Sequence, residues 1–150
     1  MFLKSKSNSL SIMTESKTTI APMLAVRGGA KAIEFYKQAF CAEELWRIDA
    51  GGHIVAGLSI EGASFFLADE SPSYGTHSPD SIGSTTVRIE LFVKDPKAVA
   101  SRAIAAGATE INPVVEHQHD TVGIRPISKM LQSTIRDPFG HLWLIGRILD

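Results

Sequence analysis

The chain has 150 residues, 44% hydrophobic and 21% charged, with a formal net charge of -1. This is the profile of a soluble globular protein large enough for one domain, or for two small modules sharing a core. The charge balance gives neither nucleic acid nor an anionic membrane an electrostatic handle, and no apolar run approaches the roughly 18 residues of a spanning helix.

Met1 to Lys17 mixes lysines with serines and has no apolar segment of signal-peptide length. It is expected to be a disordered tail, with the folded domain over residues 18–150 and Met13 as a second candidate start. Ile20 to Val26 follows as a short apolar strand closed by Arg27-Gly28-Gly29. Ala30 to Phe40 is a predicted helix, with Ile33, Tyr36, Lys37 and Phe40 at spacings of three and four. Cys41, the single cysteine, excludes an internal disulfide and suits a reducing, cytoplasmic setting. Nothing beside it in the sequence activates a thiol, so its expected role is structural. Glu43 to Asp49, His53 to Ile60 and Ala63 to Asp69 are predicted strands joined at Gly51-Gly52 and Glu61-Gly62.

Ser71 to Ser84, with Pro72, Gly75, Pro79 and Gly83, is a polar connector. The order then restarts. Thr85 to Val93 is a strand, Asp95-Pro96 caps a helix to about Ala106, and Gly107 stops it. Thr109 to Val115, Gln132 to Arg136 and Leu142 to Ile148 complete the set, the last after a turn spelled Asp137-Pro138-Phe139-Gly140. Val26 and Val93 stand 67 residues apart, as do Glu43 and Glu110, while Gly62 and Gly140 stand 78 apart. The second copy thus carries 11 extra residues, expected around His117 to Met130. A repeated unit of this size implies two copies packed together, because neither buries its sheet face alone.

The repeated order of strand, helix and three strands, with Ala32-Ile33-Glu34-Phe35-Tyr36 in the first helix, resembles the glyoxalase/bleomycin-resistance/dioxygenase superfamily, the vicinal oxygen chelate fold. Phe35 to Phe40, Ala105-Ala106-Gly107-Ala108 and Asp137 to Trp143 are similar to its PhnB-like branch. The resemblance covers about residues 18–148. It implies an α+β fold of two βαβββ modules (about 18–70 and 84–148) forming a curved mixed sheet around a cavity, a homodimer, and a small-molecule ligand.

Many members hold a divalent metal that binds neighbouring substrate oxygens and stabilises developing charge. The matching positions are Ala21, Val55, Arg88 and Leu144; Pro22, Ile54, Ala56, Trp143 and Ile145 beside them have no ligating side chain either. Leu144 stands where the family's enzymes often place a glutamate. No cofactor is therefore expected, and the function is read as small-molecule binding of the bleomycin-resistance kind. The alternative is a metal-dependent lyase, isomerase or dioxygenase. Candidate ligand-binding residues are Arg88 and Glu90, which alternation puts on one face with Phe92, and Trp46 as an aromatic wall. Arg88 suits a carboxylate or phosphate; an ion pair with Glu90, or a dimer contact, is its other use. Trp46 and Phe92 can equally serve as core packing. His117 and His119, with Glu116 or Asp120 nearby, form a metal-compatible spacing, read instead as a solvated loop. His53 and His141 are assigned to turns.

Overall fold

The computed structural model describes residues 16–118 and 129–150. The tail expected over residues 1–17 therefore lies outside it except for Ser16 and Lys17, as do His119 and Asp120. The first module comprises β1 (Met23–Val26), α1 (Gly29–Phe40), β2 (Glu43–Ala50), β3 (His53–Ile60) and β4 (Ala63–Asp69). A short connector helix α2 (Pro79–Ile82) precedes β5 (Arg88–Phe92), α3 (Pro96–Ala105), β6 (Thr109–Gln118), β7 (Lys129–Arg136) and β8 (Leu142–Ile148). The fold is α+β with two modules, each a four-stranded mixed sheet: β1-β4-β3-β2 and β5-β8-β7-β6. The first strand of each module runs parallel to the last, and the other pairs are antiparallel.

Helix α1 forms where Ala32, Ile33, Tyr36, Ala39 and Phe40 recur at helical spacing, and all five are buried. Gly28 before it has φ 100, and Asp69 at the end of β4 caps the helix from a distance. Its Oδ1 accepts from the amides of Gly28 (3.1 Å) and Gly29 (2.7 Å). At the other end Cys41 takes a left-handed conformation (φ 53) with its N–H on the Tyr36 carbonyl. Cys41 thus shapes a helix end. In α3 the Asp95 side chain accepts from the Ala98 amide at 3.1 Å, the cap read from the sequence.

Both sheets share one core with helices α1 and α3. Leu24, Val26, Leu58, Phe65 and Leu67 face it from the first sheet; Ile135, Trp143 and Ile145 face it from the second. The Trp143 ring meets Tyr36, Phe40 and Phe65 with centroids 5.6, 4.8 and 5.8 Å away. Each such buried aromatic contributes roughly 1.5–3 kcal/mol by leaving water. Helices α1 and α3 pack on each other as well as on their sheets. The core between the modules is therefore solid, and each sheet turns its second face outward.

The extra residues of the second module are not confined to one place. Strands β3 and β7 begin at residues 53 and 129, whereas β4 and β8 begin at 63 and 142. Most of the surplus falls in the β6–β7 connection, and the rest enlarges the turn at Asp137–His141. Strand β6 also runs on through His117, so that residue belongs to a strand rather than to the expected loop: its backbone pairs with Met130.

Candidate functional site

The outward face of the first sheet is apolar. Backbone register aligns Met23, Phe66, Gly57 and Trp46 in one row across β1, β4, β3 and β2. Ala25, Ala68, Val55 and Ile48 form the next row. Met23, Trp46 and Ile48 are 57, 42 and 57% exposed, unusual for side chains this large on one contiguous face. The Trp46 ring lies flat over Gly57: a Cβ there would stand 2.5 Å from its Nε1. It also packs on Phe66 with centroids 5.8 Å apart.

The outward face of the second sheet is mixed. Alternation in β5 turns Ile89 and Leu91 to the core and leaves Arg88, Glu90 and Phe92 outside. Arg88, Leu142 and Arg136 align across β5, β8 and β7, followed by the row of Glu90, Leu144 and Thr134. Glu90 accepts from the Gln132 amide at 3.0 Å, in the row beyond. No ion pair joins Glu90 to Arg88 among the described residues, so the intrastrand pair is not formed. The four candidate ligand-binding residues thus divide between two sheets: Trp46 on the first, and Arg88, Glu90 and Phe92 on the second. One chain does not bring them together around a cavity, because its helices fill the space between the modules.

Clefts do open where the modules meet, among them two beside the core. One, of about 350 Å³, lies beside β1 and the start of β5 and is lined by Met23, Ala25, His77, Ile89 and His141 among others. The other, of about 270 Å³, includes Phe40, Cys41, Leu91 and Arg102. His141 is buried at the first, with Nε2 2.8 Å from the Ala25 carbonyl, so it joins the modules as well as completing a turn.

Asp137 occupies the centre of the module junction. Its Oδ1 accepts from the amides of Phe139 (2.9 Å) and His141 (3.0 Å), which builds the turn. Its Oδ2 accepts from Tyr36 Oη at 2.6 Å and Trp143 Nε1 at 2.9 Å. Burial, and then the neighbouring Asp137 carboxylate, hold the Tyr36 phenol well above its ordinary value, so it remains a donor. This carboxylate is saturated by four donors and is structural. Sequence reasoning found the turn but missed Tyr36 and Trp143 as partners. The available signal was chemical: a buried tyrosine hydroxyl and indole N–H each require an acceptor.

Residues 19–145 match the profile of the Glyoxalase/Bleomycin resistance protein/Dioxygenase superfamily. The chain belongs to that superfamily. The uncharacterized protein Rv0887c of Mycobacterium tuberculosis is 36% identical over 134 residues, which cover 85% of this chain and 73% of that protein. Among solved structures, an Arabidopsis thaliana gene product is 25% identical (TM-score 0.61, covering 87% of this chain and 98% of that one). TioX from Micromonospora sp. ML1 is 24% identical (TM-score 0.63, 88% and 100%) and shares the fold.

The superfamily's divalent metal can be tested against this chain's donors. Val55 lies on the outward face of the first sheet, Arg88 and Leu144 on that of the second, and Ala21 precedes β1. Three are apolar and one is a cation. The nearest carboxylate on the second sheet, Glu90, is bonded to Gln132, and no cluster of three or more His, Cys, Asp or Glu stands ready among the described residues. These residues do not fit the family's metal.

Proposed function

We propose that this protein is a metal-independent small-molecule binder of the bleomycin-resistance type, in the PhnB-like branch, acting as a homodimer. In this reading the outward face of one copy's first sheet meets that of another copy's second sheet. The two enclose a partly apolar ligand between Trp46 and the group of Arg88, Glu90 and Phe92. The observation that carries it is the direction of the two open faces: the first is apolar, the second mixes Phe92 with charged side chains, and both turn away from the chain's own core. A single chain leaves them wet, and a second copy covers them. The motifs Phe35 to Phe40 and Asp137 to Trp143 support the branch. No helix among the described residues is long and apolar enough to cross a membrane.

The test combines light scattering, elemental analysis and titration with anilinonaphthalene sulfonate, an aromatic anion that fluoresces when desolvated. The expected result is a dimer that binds the dye, quenches Trp46 and contains no stoichiometric metal, with binding lost in Trp46→Ala. A monomer overturns the intersubunit cup. Stoichiometric nickel, zinc, manganese or iron, released by changing one His or Glu, overturns metal independence in favour of an enzyme.

A further inference from the structure

We infer that the second sheet selects a doubly negative ligand head, either two carboxylates or a phosphonate-like group, held between Arg88 and Arg136. Arg136 has no assigned role and is brought to this place by register alone. Both arginines are Cα partners of Leu142, one from β5 and one from β7. In β7 the alternate residues Ser133 and Ile135 are buried, which leaves Arg136 on the outward face with Arg88. Two strand spacings set the arginine Cα atoms about 10 Å apart, within joint reach of one anionic head above Leu142.

Neither arginine is in an ion pair among the described residues, whereas Arg27, Lys37 and Arg47 are. The nearest acid along the face, Glu90, bonds Gln132 and neither arginine. Covering this row with an apolar partner face would strip water from two unpaired guanidinium groups, which requires a counter-anion. The planar forks suit oxyanions in bidentate geometry. Leu142 supplies an apolar floor, and Leu144 and Phe92 extend it along the ligand's hydrophobic part. This inference rests on the proposed intersubunit cup.

The test is calorimetry on the full chain with three probes of one shape: naphthalene dicarboxylate, naphthoate and naphthamide. The dicarboxylate is expected to bind about tenfold or more tighter than the monocarboxylate, the scale of one added charge-assisted contact. Arg136→Gln removes that preference while leaving naphthamide binding unchanged. Arg88→Gln, on an edge strand away from the Asp137 turn, should remove the dicarboxylate preference in the same way if the first variant folds poorly. Equal binding of all three probes overturns the dianion grip and leaves the cup standing. A dimer that binds none of them overturns both.

Discussion

Tyr36 in α1 donates a 2.6 Å hydrogen bond to Asp137, 101 residues further along the chain, inside the common core. That bond, with Trp143 on the same oxygen, ties the helix of the first module to the closing turn of the second. Removing the hydroxyl in Tyr36→Phe leaves Oδ2 with one donor and is expected to cost about 1–3 kcal/mol. Asp137→Ala strands four buried donors and should cost about 4 kcal/mol or more. Urea unfolding measures both. Equal small effects would mean that the carboxylate does not couple the modules.

The Tyr36 phenol also makes a spectroscopic prediction. Its proton is held in the folded state above the ordinary value of 10.0, by burial first and Asp137 second. Unfolded protein loses that proton sooner, so stability is unaffected below about pH 10 and falls as pH rises beyond it. Absorbance titration should show Tyr36 ionising only as the protein unfolds. Ionisation of Tyr36 in folded protein would contradict this placement.

Glu44 titrates at the opposite end of the scale. Hydrogen bonds from Arg47 and then Lys37 hold it down to about 2. Its contribution is present above the ordinary carboxylate value of 4.5 and is lost as pH falls from there towards 2. The group lies at the surface, where solvent and salt screen it, so the effect is small. Comparing wild type with Glu44→Gln, the difference in melting temperature should shrink on acidification and in high salt. A difference independent of both would remove the electrostatic cause.

Two glycines separate fold from site. Gly140 has φ 90, and a Cβ there would stand 2.7 Å from the Asp80 amide nitrogen. Gly140→Ala should therefore destabilise by about 1–3 kcal/mol. Gly57 bears the Trp46 ring instead. Gly57→Ala should shift Trp46 emission and weaken dye binding with less loss of stability than Gly140→Ala. If the order of stabilities reversed, the Trp46 ring would have to be part of the fold's support.

Leu144→Glu places a carboxylate where the sequence resemblance expects a metal-binding glutamate. Leu144 is half-buried, and Glu90 is its partner in register. The new carboxylate would face a like charge and lose part of its hydration, which lowers the melting temperature. Added nickel, zinc or manganese should leave that temperature unchanged, because no further donors converge there. A large metal-induced rise would show that they do.

Much of this architecture was legible in the linear order of residues. Alternation, helical spacing and turn glycines are local properties, so they marked the paired modules, the Asp95 cap and the Asp137 turn. The repeat named the fold class. Local pattern could not report the strand pairings that set Arg136 beside Leu142 and Arg88, since register joins residues nearly fifty positions apart. Nor could it report that Tyr36 finds its acceptor in the other module, because a buried donor reveals a need and not a partner. The direction of the open faces is likewise a tertiary fact. It depends on α1 and α3 packing against each other and filling the space between the sheets.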